Sequence, residues 1–143
     1  MAITQGMCTS FKKELLEAKH NFLLTDGSTF KIALFTSSAS LGASTTVYVD
    51  EGMDEITGTG YTAGGNTLTR VDPSSSGTTG LTDFADTSWE TATFTARGAL
   101  IYNAAGNRAV LVLDFGADKT VTASTFTIAF PATDGNNAII RIV

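Results

Sequence analysis

The residues of this chain that could do chemistry fall into a few small groups. Asp83, Asp86 and Glu90 surround Phe84 and Trp89. Paired carboxylates beside an aromatic platform are the equipment of a glycosidase or a sugar-binding site. Acids at strand ends beside a core aromatic are the commoner arrangement, and that is the reading adopted. Asp50, Glu51, Asp54 and Glu55 form an acidic cluster. Calcium takes six to eight oxygens and such clusters can supply several, but the spacing is not that of an EF-hand loop. A solvated acidic loop is expected instead. The run Gly58-Thr59-Gly60-Tyr61-Thr62-Ala63-Gly64-Gly65-Asn66 superficially resembles a phosphate cradle. It lacks the Lys followed by Ser or Thr, and a strand follows it rather than a helix. Its glycines therefore read as turn residues with positive φ.

His20 and Cys8 are the single histidine and the single cysteine. Alone they cannot complete a zinc site, which takes four ligands. His20 falls near the end of a predicted helix, where a cation is mildly favoured, and reads as structural or solvent-exposed. Cys8 reads as a small buried apolar residue, and one cysteine excludes an internal disulfide. Ser10 and Ser88 lack the Gly-x-Ser-x-Gly setting of a hydrolase nucleophile. The expectation is a protein with no catalytic centre, no cofactor and no metal.

The elements that must position these groups are mostly strands. Met7, Phe11, Leu15, Ala18 and Phe22 recur at spacings of four and three, the pattern of one helix face. They predict an amphipathic helix over 10–22, capped by Ser10, Thr9 or Thr4, with residues 1–10 as an N-terminal arm. Residues 29–143 read as β. Apolar residues alternate over 29–36, Val47-Tyr48-Val49 is a short strand, and another lies near 67–71. Asp72-Pro73-Ser74-Ser75-Ser76-Gly77 reads as a surface loop. The last third supplies four strands, over 92–102, 109–115, 120–131 and 138–143. Residues 103–107 form a hairpin connection and 116–119 link the next pair. Val110 to Leu113 is apolar on both faces, the mark of a central strand. Phe126, Ile128 and Phe130 alternate with Thr and Ala, the mark of a sheet with one wet face. Frequent turn signals between short strands predict one domain over 1–143: an antiparallel two-sheet sandwich, jelly-roll or immunoglobulin-like, with one N-terminal amphipathic helix.

Composition narrows the function. The chain has 143 residues and a formal net charge of −5, with nine Lys and Arg scattered along it. Nucleic-acid binding draws on clustered cations, and anionic membranes attract polybasic segments; neither is expected here. The first residues show no signal-peptide pattern, and no stretch has the roughly twenty apolar residues of a membrane span. Charged residues are only 16% of the chain. The surface is polar largely through hydroxyls, as in proteins that pack closely against neighbours.

A set of longer phrases carries a resemblance. CTSFKKELL (8–16), TFKIALFTSSASLG (29–42), GTGYTAGGNTLT (58–69), TDFADTSW (82–89), TFTARGALIYN (93–103) and NRAVLVLDFGADKTVTASTFTIAFP (107–131) cover most of the chain. Together they resemble a group of small virion-associated proteins encoded in the structural gene blocks of tailed bacteriophages. The resemblance implies a virion component made in the host cytoplasm, foremost a capsid decoration or cement protein. Its expected partners are the major capsid protein or other virion proteins, and copies of itself, with a trimer as the working guess. The alternatives are a tail, neck or fibre-associated structural protein, or a receptor- or carbohydrate-binding module. Met7, Phe11, Leu15 and Phe22 are the candidate interface anchors unless they fill the domain's own core. Tyr48, Tyr61 and Trp89 are the candidate binding aromatics if they stand exposed together.

Overall fold

The computed structural model describes residues 2–143. The protein is mainly β, with 49% of residues in strands and 6% helical, in two antiparallel sheets with one short helix near the N-terminus. The elements in chain order are β1 (Gly6–Met7), α1 (Thr9–Leu16), β2 (Phe30–Phe35), β3 (Asn66–Thr67), β4 (Arg70–Ser76), β5 (Thr79–Phe84), β6 (Thr87–Asn103), β7 (Arg108–Ile128) and β8 (Ile140–Ile142). One sheet has the order β1-β7-β6-β2-β3 and the other β4-β5-β8. Phe30 from the first sheet, Phe84 from the second and Phe22 from the segment after α1 form one aromatic stack between them, with Phe22 and Phe30 4.4 Å apart and nearly parallel.

The helix ends six residues earlier than the apolar spacing predicts. Its C-terminus is a Schellman motif: the Lys19 N–H donates to the Glu14 carbonyl at 3.0 Å and the Ala18 N–H to the Leu15 carbonyl at 3.1 Å. Ala18 sits at φ 58°, a left-handed position that glycine usually fills. The reversal turns His20 and Phe22 back into the core, so Phe22 joins the apolar face from outside the helix. The helix start also differs. Cys8 occupies the N-cap position without a side-chain hydrogen bond, and no Ser or Thr caps the helix.

The N-terminal residues are part of the fold rather than a free arm. Gly6 and Met7 pair with Val112 and Leu111 on β7. Ile3 bridges Leu41, and its side chain lies against Gly98, where a Cβ would meet it at 2.9 Å. The predicted loop over 72–77 is mostly the edge strand β4, turned at Gly77 into β5. An edge strand tolerates Pro73 because one side of it makes no ladder bonds, and the register slips between Val71 and Ser74 where the proline sits.

Residues 116–119 do not link two strands; they lie inside β7, a single 21-residue strand. Its partner β6 is 17 residues long. Gly98 pairs with Asp114 and Ala96 with Lys119, so the residues between them on β7 bulge out opposite Arg97. Asp114 and Asp118 flank that guanidinium at 3.8 and 3.7 Å. The bulge bends β7 so far that Phe115 and Phe126, eleven positions apart, come within 6.2 Å. Beyond the bend, the apolar side of the ribbon packs Trp89, Phe94 and Phe126 against Tyr61. Hydroxyl pairs stand on the exposed side, Ser88 with Thr127 and Thr95 with Thr120, each at 2.9 Å.

Candidate docking surface

The acidic loop turns one of its carboxylates inward. Glu55 accepts from the Tyr48 hydroxyl at 2.6 Å, the Tyr61 hydroxyl at 2.5 Å and the Gly64 N–H at 2.8 Å. The Tyr61 oxygen in turn accepts from the Leu34 N–H at 2.9 Å. Tyr102 stacks on Tyr48 and donates to the Gly64 carbonyl at 2.7 Å. Burial, and then the Glu55 carboxylate, push the Tyr48 and Tyr61 phenols far above their ordinary range. Burial pushes Tyr102 up to about 12. All three therefore stay protonated as donors, which suits a clamp and not a general base. The clamp fastens the segment around residues 48–65 onto β2, where Ile56 N–H also donates to the Leu34 carbonyl. Asp50, Glu51 and Asp54 remain exposed.

His20 is buried in a chain of polar contacts. Asn103 is oriented by its Oδ1, which accepts from the Ala105 N–H, and by its Nδ2, which donates to the Lys19 carbonyl. That Nδ2 also donates to His20 Nδ1 at 3.1 Å. The imidazole proton is thereby assigned to Nε2, which donates to Glu14 Oε1 at 3.0 Å. The other Glu14 oxygen meets Arg108 Nε at 3.2 Å. The chain ties α1 and the segment after it to the β6–β7 turn. Cys8 is fully buried, and burial, with Glu14 adding to it, raises its thiol to about 11. A thiol held protonated is a poor nucleophile.

The carboxylates around Trp89 do not converge. Asp83 is fully buried, its Oδ1 accepting from the Phe84 N–H at 2.8 Å and its Oδ2 without a partner. Burial, with Asp86 nearby as a lesser cause, raises its carboxyl above the usual range. Asp86 accepts from the Phe130 N–H at 2.8 Å, and Glu90 is exposed. Among the described residues no group of three or more His, Cys, Asp or Glu side chains gathers as metal ligands. Gly60, Gly64 and Gly65 take the positive φ that turns require.

The candidate interface residues divide. Phe11 and Phe22 are core, Met7 lies on β1 and Leu15 is half-buried. Tyr48 and Trp89 are buried and Tyr61 is half-buried, so these aromatics form no exposed platform. Leu15 and Phe22 do border the outside in one place, an apolar cleft of about 200 Å³ between α1 and the smaller sheet. Pro73, Leu81, Ile140 and Ile142 complete its walls.

Seven large apolar side chains stand exposed among the described residues; of these Ile142 lines the cleft, and Leu16 (91%), Leu23 and Val143 (92%) adjoin in sequence the lining residues Leu15, Phe22 and Ile142. Leu24 is held beside Pro73 by its N–H, which donates to Asp72 at 2.7 Å. Arg70 fixes the same loop by donating to the Leu23, Leu24 and Ser28 carbonyls. Sequence periodicity overlooks these exposed residues, yet a signal was present in the doubled Leu15-Leu16: with Leu15 turned to the apolar face of α1, its neighbour Leu16 goes to the wet side.

No family model, curated protein or solved structure matches the chain.

Proposed function

We propose that this chain is a structural component of a tailed-phage particle, in the first place a capsid decoration or cement protein that docks between capsid subunits. The observation that carries the docking role is the apolar cleft walled by Leu15, Phe22, Pro73, Leu81, Ile140 and the exposed Ile142, with exposed Leu16, Leu23 and Val143 next to its lining residues in the chain. Contiguous exposed apolar surface of this kind marks sites of protein association. The phage assignment rests on the resemblance of the phrases over 8–131. The clamps around Glu55 and His20 support a rigid module, which associates without an ordering cost.

The test is the copy number in purified particles, measured by quantitative mass spectrometry against the major capsid protein. A ratio within a few-fold of one is expected. A few to a few dozen copies would move the protein to the neck, tail or fibres, and its absence from the particle would sink the virion reading.

A further inference from the structure

A second concavity lies where β7 bends. It is a groove of about 430 Å³ between the two limbs of that strand, Leu113–Phe115 on one side and Phe126–Ala129 on the other, with Gln5 and Lys119 on its rim. The volume falls within the range of roughly 300–1,000 Å³ of small-ligand sites. Phe115 and Phe126, tilted at 51° to each other, supply aromatic lining.

Three main-chain donors in and beside the groove are capped by the protein's own side chains. The Asp114 N–H donates to Gln5 Oε1 at 3.0 Å, and the Gly116 N–H to Asp114 Oδ1 at 2.9 Å. The Phe130 N–H donates to Asp86. An incoming strand would find these edge donors taken. Side-chain groups there without a hydrogen-bond partner among the described residues include the Gln5 amide NH₂, Asp114 Oδ2 and the Lys119 ammonium. An amide donor, a carboxylate acceptor and an ammonium donor thus line the same groove as two aromatic rings.

That combination suits a ligand with an apolar face and hydroxyls around its edge. Lys119 and the Arg97 guanidinium together balance Asp114 and Asp118, so the surroundings favour no net charge. We propose that the bend of β7 is a binding site for a neutral pyranoside of one or two rings. Its C–H face lies on Phe115 and Phe126, and its hydroxyls bond to Gln5, Asp114 and Lys119. Neither Trp89 nor the carboxylates beside it take part, and the site does not depend on the place of the protein in a particle.

The test is saturation-transfer and amide chemical-shift NMR on the full chain with methyl glycosides of glucose, galactose, mannose and N-acetylglucosamine, each to about 10 mM, a weak-binding regime. At least one is expected to saturate and to shift amides of 113–119 and 126–129. Lys119→Met keeps the aliphatic stem and removes the charge; Gln5→Glu keeps the acceptor for Asp114 and removes the amide donor. Each is expected to weaken that sugar about tenfold, the scale of one lost hydrogen bond to a charged or buried group, with an unchanged melting curve. Three results would overturn the proposal: no saturation by any of the four sugars, shifts confined to other residues, or affinity indifferent to both substitutions.

Discussion

Asp83 is the one carboxylate whose setting opposes its charge. In the unfolded chain it titrates near 3.8, and folding raises that value by burial. The folded state therefore holds the proton more tightly. The stability this contributes is fully present below the unfolded value and is lost as pH rises through the folded one. At neutral pH its ionisation opposes folding, because burial outweighs the hydrogen bonds that favour the carboxylate. Asp83→Asn preserves the acceptor for the Phe84 N–H and removes the charge. The variant is expected to melt above the parent at about pH 7 and to lose that advantage as the pH falls to about 3, below the unfolded value, where the carboxyl is protonated in both states. Melting curves at the two pH values check this, and an advantage that does not change with pH would refute it. Little of this was legible in the sequence. The spacing of Asp83, Asp86 and Glu90 is visible there, but a strand sends neighbouring side chains to opposite faces. Whether three acids meet depends on which strand covers which face. The same holds for Glu55, whose inward turn depends on Tyr48, Tyr61 and Gly64 being brought together by the fold of one loop.

At the scale of elements, periodicity located the helix and misjudged its end. Phe22 keeps the apolar spacing of Phe11 and Leu15, so the pattern runs on although the backbone has reversed. The reversal is carried by Ala18, which sequence reading treats as a good helix former. Holding a residue with a Cβ in the left-handed region costs about 1–2 kcal/mol. Ala18→Gly is therefore expected to stabilise the protein by about 1 kcal/mol, the gain in the folded state being partly offset by a more flexible unfolded chain. Urea unfolding would show a higher midpoint at unchanged slope, and a loss of stability would mean that the Schellman turn is not what ends α1. The long hairpin shows the opposite error. Gly116 to Lys119 carries turn residues, and they make a bulge within β7 instead of a break between strands. Turn chemistry marks a departure from the regular ladder, but a bend and a reversal use the same residues. The N-terminal segment looked free only because its partners, Leu41, Gly98 and β7, lie far along the chain.

For the whole molecule, the sequence reading supports a mainly β domain of two antiparallel sheets with one helix, because alternation and turn signals are local. Strand order and the unequal division of strands between the sheets were beyond it, because pairing between distant segments leaves no periodic trace. The apolar cleft is a property of this same scale. Leu15 comes from α1, Phe22 from the segment after it, Pro73 and Leu81 from β4 and β5, and Ile140 and Ile142 from β8, so only the folded chain assembles it. Exposed residues at or next to its lining, such as Ile142 and Leu16, contribute little to the fold itself. Leu16→Asp and Ile142→Asp are therefore expected to change stability by no more than about 0.5 kcal/mol, the usual range for surface substitutions. If the cleft is the docking site, the same changes place a charge in an interface and should weaken attachment to isolated capsids at least tenfold. Val47 and Val49 are also exposed but lie away from the cleft lining, so Val49→Asp serves as the control and should bind as the parent does. Co-sedimentation with capsids separates the cases. Loss of binding by the cleft variants alone identifies the surface, whereas equal binding by all three would leave the cleft without a role in attachment.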